Sequence, residues 1–200
     1  LSEPSLALPR ALAIVRAVGA ALTAAHEQGV VHRDIKPDNI LLEGETVMVA
    51  DFGVARAVSD MHEKLTATGM VVGTPVYMSP EQAAGEKEID GRSDQYALAS
   101  VLYEMIAGEP PFRGATPTAT LMRRFAGPPQ PLRPVFDIPE SVERAILRAL
   151  EREPSARYAS VSDFIDALEG RDAGPAASPT PASPATDSSP APRSGLLGSL

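Results

Sequence analysis

The stretch "VVHRDIKPDNILL", residues 30–42, places charged and amide side chains between two apolar runs. Asp34, Lys36 and Asn39 fall within one loop, and a second acidic residue, Asp51, follows seventeen residues after the first in "ADFG". Carboxylate and amide oxygens are the ligands that Mg²⁺ prefers. A lysine beside a carboxylate adds a cation next to a transferring anion. These residue types suit phosphoryl transfer, in which catalysis is mostly positioning and charge stabilisation.

The composition is that of an ordinary globular chain. Its 200 residues, 44% of them hydrophobic and 22% charged, fit one compact domain with room for a tail. The net charge of −8 makes nucleic acid and anionic membrane surfaces unfavourable partners. The absence of cysteine excludes disulfides and thiolate metal sites. No uninterrupted apolar run of about 18 residues and no signal-peptide pattern is present.

Apolar spacing predicts a mainly helical domain. Pro9 suits the first turn of a helix, and apolar residues then recur at helical spacing until Gly29. "SDQYALASVLYEMIAG" predicts a helix so apolar that it is buried, with Ser93 as its N-cap and Gly108 at its end. Two amphipathic helices are predicted at 139–151, after Pro139, and at 160–169, with Ser160 as the cap candidate.

Two other segments complete the predicted organisation. The runs "NILL" and "TVMVA", joined by "EGE", predict a β-hairpin. From Arg171 to Leu200 the chain is dominated by Ala, Ser, Pro and Thr. Such a segment cannot bury enough apolar surface to offset its ordering entropy. We therefore predict a folded domain over 1–170 and a disordered linker over 171–200.

Four motifs occur in an order and spacing that resemble the C-terminal lobe of a bacterial, eukaryotic-like Ser/Thr protein kinase. They are "HRDIKPDN", "DFG", "GTPVYMSPEQ" and "SDQYALASVLYEM", and the resemblance covers roughly residues 5–169. It implies a mainly α, protein-kinase-like C-lobe with a short β-hairpin at the catalytic cleft. It also implies a cytoplasmic enzyme that uses ATP and Mg²⁺ and transfers the γ-phosphate to Ser or Thr hydroxyls of protein substrates.

The resemblance implies a role for each polar residue of the cleft. Asp34 would accept or orient the proton of the substrate hydroxyl, and Lys36 would steady the γ-phosphate. Asn39 and Asp51 would hold Mg²⁺ and thereby the nucleotide. Lysine at this place in the catalytic loop fits Ser/Thr kinases better than tyrosine kinases.

The same resemblance implies supporting contacts around the cleft. His32 and Phe52 would pack in an apolar column, with Asp94 anchoring its base. Glu81 of "SPE" would pair with Arg157 across the domain. For Asp94 and for this ion pair we favour a structural part over a catalytic one.

An activation-loop-like segment lies between "DFG" and "SPE". Arg33 directly precedes the catalytic aspartate, as in kinases whose arginine receives a loop phosphate, so Thr66 and Thr68 are the candidate phosphorylation sites. Thr74 would contact the catalytic loop and help to shape the peptide groove. His26 and His62 have no supporting cluster and are predicted to be ordinary exposed residues.

A complete kinase also needs a Gly-rich loop and a strand lysine paired with a helix glutamate. The glycines of the chain never occur as G-x-G-x-x-G, and the three lysines are Lys36, Lys64 and Lys87. Since the chain begins with Leu1, we expect upstream sequence in a longer parent, whose N-lobe is the missing partner of this C-lobe. The chain alone is expected neither to bind Mg·ATP usefully nor to transfer phosphate. Its uncovered apolar face is expected to permit self-association.

Two alternatives remain. The first is a non-catalytic, pseudokinase-like interaction module, against which the intact catalytic-loop residues argue. The second is a small-molecule phosphotransferase of the aminoglycoside type, against which the "GTP…SPE" segment argues. A linker such as 171–200 leads in relatives to a membrane helix, so the parent could be anchored through a helix beyond residue 200.

Overall fold

Helices supply most of the folded residues, as the apolar spacing predicts. The computed structural model describes residues 6–52 and 76–171. Two strands, β1 (Ile40–Glu43) and β2 (Thr46–Val49), and two 3-10 helices, Pro37–Asn39 and Pro154–Ala156, accompany the α-helices. The α-helices of these two ranges are α1 (Leu8–His26), α2 (Pro80–Ala83), α3 (Gly91–Ala107), α4 (Pro117–Ala126), α5 (Glu140–Ala149) and α6 (Val161–Leu168).

The central helix is α3, which is buried along most of its length. It begins two residues before Ser93, so the predicted N-cap is wrong. Asp90 is the N-cap, because its carboxylate accepts a hydrogen bond from the Arg92 N–H, whereas Ser93 is buried inside the first turn. The predicted end is confirmed, since Gly108 adopts φ 76° there.

The first helix completes the core by packing against α3, α6 and β2. Its side chains Val15, Val18 and Leu22 are fully buried. At Gly19 a Cβ would lie 2.7 Å from Ile165 Cγ1, so glycine permits the close approach of α1 and α6. Within the described ranges, α1 is also the one helix long and apolar enough to cross a membrane, with a mean hydropathy of 1.4. Its packing in this structure is that of a core helix.

The predicted hairpin is confirmed and has one apolar side that nothing in the described ranges covers. β1 and β2 are antiparallel, with Ile40 opposite Val49 and Leu41 opposite Met48. The first pair is half-buried against the core, whereas both side chains of the second pair are exposed. Because strand side chains alternate between faces, the hairpin presents Leu41 and Met48 together to solvent.

The helices predicted at 139–151 and 160–169 are present as α5 and α6, and Ser160 caps α6 by accepting from the Asp163 N–H. Apolar spacing does not predict α2 and α4. The former has only four residues, too few for a periodic pattern. The buried positions of α4 are Thr120 and Arg124, polar residue types that an apolar pattern does not count.

Candidate active site

Three of the predicted catalytic-loop residues meet in space. Lys36 Nζ lies 2.7 Å from Asp34 Oδ2. The Asn39 amide donates to the Asp34 carbonyl at 2.7 Å and to Asp34 Oδ2 at 3.2 Å. The 3-10 helix Pro37–Asn39 turns the chain back so that Asn39 reaches the aspartate five residues before it. The loop therefore holds an exposed carboxylate between a cation and a buried amide.

The fourth predicted residue, Asp51, is tied to this loop through the backbone. The Ala50 N–H donates to the Asn39 carbonyl at 2.9 Å, so Asp51 directly follows a residue bonded to the catalytic loop. Both Asn39 Nδ2 bonds go to Asp34, and no donor within residues 6–52 and 76–171 reaches its amide oxygen, which can therefore serve another ligand. An amide oxygen and an exposed carboxylate are hard oxygen donors, and this set fits Mg²⁺.

The same donor set does not suit an all-protein metal cage. In the described ranges no group of three His, Cys, Asp or Glu side chains could hold a metal ion. Mg²⁺ is commonly bound through one or two carboxylates, with the remaining ligands coming from phosphates and water. Asn39 and Asp51 supply one amide oxygen and one exposed carboxylate, a set that fits such partial coordination of Mg²⁺.

The backbone of the catalytic loop is attached to one fully buried carboxylate, that of Asp94 on α3. Its Oδ2 accepts from the His32 N–H at 2.8 Å, and its Oδ1 accepts from the Arg33 N–H at 2.7 Å. His26 Nε2 lies 2.7 Å from the same Oδ2. Three donors offset the cost of burying the charge, which is otherwise several kcal/mol.

The contact between His26 and Asp94 corrects the prediction that this histidine is an ordinary exposed residue. The imidazole is half-buried and lies against the first residue of α3. At Gly91 a Cβ would be 2.5 Å from His26 Nδ1, so only glycine leaves room for the ring. No local pattern indicates this contact, because the two partners are 68 residues apart.

Two non-glycine residues of the described ranges have positive φ, and both lie in the cleft. They are Arg33, with φ 68°, and Asp51, with φ 61°. The left-handed region costs an L-residue about 1–2 kcal/mol, and such residues cluster at functional sites. The bond from the Arg33 N–H to Asp94 is one contact that holds this conformation.

His32 joins the two loops of the cleft through its buried ring. The Asp34 N–H donates to His32 Nδ1 at 3.2 Å, and His32 Nε2 lies 2.8 Å from the Ala50 carbonyl. Since the first nitrogen must accept and the second must donate, the ring is the neutral tautomer protonated at Nε2. Phe52 packs edge-on against it with ring centroids 4.7 Å apart, the contact that the sequence analysis predicted.

The segment after residue 75 is fixed to α3 and α4. Tyr77 donates its hydroxyl to Glu104 Oε2 at 2.5 Å, and burial together with this bond raises the pKa of the phenol. The buried guanidinium of Arg124 donates to the Val76 carbonyl at 3.0 Å and also to the Met78 carbonyl. Burial lowers the pKa of Arg124, although the group stays charged. No apolar pattern could have found this buried arginine.

The predicted pair of Glu81 and Arg157 is present and buried. The guanidinium donates to both carboxylate oxygens, at 2.8 and 2.7 Å, and Ser93 Oγ donates to Oε1 at 2.5 Å. Burial alone would raise the pKa of Glu81. The hydrogen bonds and the charge of Arg157, together with the hydrogen bond from Ser93, outweigh burial and hold the pKa below its usual value. Arg157 also donates to backbone carbonyls, those of Arg92, Glu151 and Arg152.

Four residues singled out in the sequence lie in the undescribed range 53–75: Thr66, Thr68, Thr74 and His62. Their parts in a loop or groove stay predictions. The segment 172–200, predicted to be a linker, also lies outside the described ranges, so the domain boundary stays a prediction as well.

The fold and the cleft together define a class of protein. The protein kinase domain family matches residues 3–166, and the chain belongs to this family. The described residues form a mainly helical fold with a small two-stranded sheet, which is compatible with that membership.

The chain is similar to bacterial members of the family. It is 39% identical over 176 residues to serine/threonine-protein kinase PknB of Mycolicibacterium smegmatis, an alignment that covers 85% of this chain and 28% of the relative. It is 41% identical over 170 residues to Pkn1 of Myxococcus xanthus, covering 82% and 24% respectively. For PknH of Mycobacterium bovis the identity is 42% over 160 residues, covering 78% and 26%. The chain thus spans about a quarter of the length of these curated relatives.

Proposed function

We propose that this chain is the catalytic-loop half of a bacterial Ser/Thr protein kinase, and that the rest of the parent supplies the N-terminal lobe. The parent would transfer the γ-phosphate of ATP to Ser or Thr hydroxyls of proteins. The observation that supports this most directly is the Asp34 carboxylate, held by Lys36 at 2.7 Å and by Asn39 at 3.2 Å.

The arrangement gives each residue a chemical part. Lys36 and Asn39 both donate to Asp34 Oδ2, and no residue of the described ranges donates to Oδ1, which we assign to the substrate. This carboxylate accepts the hydroxyl proton as the hydroxyl oxygen attacks the γ-phosphorus and the bond from phosphorus to the oxygen of ADP breaks. The Lys36 ammonium lies close enough to offset charge on the transferred group. Mg²⁺, when bound through Asn39 and Asp51, would neutralise phosphate charge.

A protein acceptor is favoured by the way the chain fixes residues 76–83. Hydrogen bonds attach this segment to α3, α4 and the catalytic loop, and a buried ion pair attaches its Glu81 to Arg157. A rigid segment beside Asp34 is what an extended peptide needs for alignment, whereas a small acceptor does not need it. Because ATP is the donor, we propose a cytoplasmic location for this domain.

Phosphorylation of Thr66 or Thr68 is proposed as the switch that orders the activation loop. The side chain of Arg33 is half-buried, and it forms no ion pair with the part of the chain that the structure describes. A phosphothreonine adds nearly two negative charges that a guanidinium can bind. Binding of the phosphate by Arg33 would then restrain the adjacent Asp34.

The 200-residue chain alone is expected not to bind Mg·ATP at millimolar nucleotide. Its catalytic loop offers ligands for phosphate and Mg²⁺, but its 200 residues contain no G-x-G-x-x-G loop to cover them. Isothermal titration of the chain with Mg·ATP should give no heat of binding. Saturable binding, or phosphate transfer that Asp34→Asn abolishes, would contradict this expectation.

The same chain is expected to self-associate through its hairpin side. Leu41 and Met48 are 48% and 42% exposed there, and Phe52 lies near Met48 in sequence at 38%. We propose that the N-lobe of the parent covers this surface, and that without it two copies meet. Light scattering should give a mass above that of a monomer, which Leu41→Glu with Met48→Lys should reduce to the monomer value. A monodisperse wild-type monomer would contradict the proposal.

Acceptor preference separates the three candidate functions. Three samples of the full-length parent should be incubated with Mg·ATP. One contains a protein acceptor, one contains an aminoglycoside and one contains no acceptor. The proposed kinase labels the protein. Labelling of the aminoglycoside would indicate the small-molecule phosphotransferase, and the absence of any transfer would favour the non-catalytic module.

A further inference from the structure

Gln82, on the short helix α2, uses both ends of its amide. Its Oε1 accepts from the Ser79 N–H at 3.1 Å and from Ser79 Oγ at 3.0 Å, which completes a capping box. Its Nε2 donates to the Arg33 carbonyl at 2.8 Å. Because the Ser79 N–H can only donate, the orientation of the amide is fixed by its partners.

The carbonyl that Gln82 binds belongs to the peptide group between Arg33 and Asp34. The other side of that peptide group, the Asp34 N–H, donates to His32 Nδ1. The preceding N–H, of Arg33, donates to Asp94. Three successive polar groups of the backbone, the Arg33 N–H, the Arg33 carbonyl and the Asp34 N–H, are therefore hydrogen-bonded. Arg33 itself has a φ of 68°, which is unfavourable for any residue other than glycine.

We propose that Gln82 is a positioning residue for Asp34. Rotation of the bonded peptide group would swing the Asp34 Cα and its carboxylate, and the Gln82 amide opposes that rotation. The same amide closes the capping box with Ser79, which directly follows the segment 76–78. Gln82 thus couples the placement of this segment to the placement of the catalytic carboxylate. The catalytic part of this inference rests on the proposed kinase function, whereas the structural part does not.

The competing explanation is that Gln82 only caps α2, and one substitution separates the two. Gln82→Glu keeps the oxygen that accepts from Ser79, since glutamate serves equally in this capping position, but it removes the donor to Arg33. Gln82→Ala removes both interactions. Gln28→Glu is the matched control, because Gln28 is exposed at the end of α1 and the change adds the same charge.

The first test follows backbone amides of the 200-residue chain by NMR. In Gln82→Glu the Asp34 amide should exchange with solvent about tenfold faster than in the wild type, and its resonance should shift. Gln28→Glu should leave both unchanged. If the Asp34 amide in Gln82→Glu matches the wild type while Gln82→Ala lowers the midpoint of thermal unfolding, the residue is a cap only and the proposal is overturned.

The second test uses the full-length parent. Gln82→Glu should lower kcat for protein phosphorylation about tenfold and leave the KM for ATP unchanged, because a misplaced carboxylate affects the reacting geometry and not nucleotide binding. An unchanged kcat would overturn the link to catalysis. If the wild-type parent itself transfers no phosphate, the proposed function fails, and the amide measurement still decides whether Gln82 positions Asp34.

Discussion

Asp34→Asn in the full-length parent is expected to lower kcat for protein phosphorylation by about 10²–10⁴-fold. Asparagine matches the aspartate in size but cannot accept the hydroxyl proton. It would also meet two donors, Lys36 Nζ and Asn39 Nδ2, where the wild type offers them a carboxylate oxygen. The effect therefore falls on the chemical step, and initial rates at saturating Mg·ATP and acceptor measure it.

Asp38→Asn is the matched control for this substitution. Asp38 is exposed on the 3-10 helix of the same loop, four residues from the catalytic aspartate, and loses the same charge. Its kcat should stay within about twofold of the wild type. If Asp34→Asn and Asp38→Asn were equally active, Asp34 would not be the group that takes the proton.

Arg157→Ala is expected to lower the free energy of unfolding by about 3–5 kcal/mol. The substitution leaves the buried carboxylate of Glu81 without its bidentate partner, and it removes the donor to three backbone carbonyls. Urea unfolding followed by circular dichroism measures the loss. Where the variant fails to fold, Arg157→Lys, which keeps the charge but not the bidentate geometry, should show a smaller loss.

An exposed ion pair provides the control for Arg157. Arg133 lies 3.3 Å from Glu140, with both side chains largely in solvent, so Arg133→Ala should change the stability by less than about 1 kcal/mol. If Arg133→Ala and Arg157→Ala lowered the free energy of unfolding equally, burial would add nothing to the contribution of the Glu81–Arg157 pair. That result would remove the structural argument for a rigid segment 76–83.

Acidification supplies an independent check of the same pair. The pKa of Glu81 is lower in the folded chain than its usual value of 4.5, so its contribution to stability is complete above that value. The contribution is lost as the pH falls through the folded pKa. Stability of the wild type should therefore decline below about pH 4.5 more steeply than that of Glu81→Gln, which has no carboxylate to protonate.

The sequence predicts those parts of the fold that depend on local patterns. The apolar run of α3, the hairpin beside the catalytic loop and the capped helix α6 follow from periodicity and end signals. The sequence predicts Ser93 as the N-cap of α3, whereas Asp90 occupies that position in the structure. A sequence pattern cannot decide between them, because both residue types suit an N-cap. The helix α4 was missed because it buries polar side chains, and its packing partners come from the distant segment 76–78.

The candidate site also contains residues that the sequence predicts and residues that it does not. Motifs name Asp34, Lys36, Asn39 and Asp51, because the chemistry requires those residue types in that order. The groups that hold them come from far along the chain and carry no local signal. His26 contacts Asp94 across 68 residues, and Gln82 contacts Arg33 across 49. Only the "SPEQ" capping pattern could have drawn attention to Gln82 beforehand, and it would have indicated a helix start and not a link to the catalytic loop.

The most direct test of the central claim is to identify the amino acid that receives the phosphate. The full-length parent should be incubated with Mg²⁺, ATP labelled in its γ-phosphate and a mixture of peptides that contain serine, threonine or tyrosine as the single hydroxyl residue. The proposed kinase should label the serine and threonine peptides and leave the tyrosine peptide unlabelled. Label on tyrosine alone, or no label on any peptide while the labelled ATP remains intact, would contradict the proposed function.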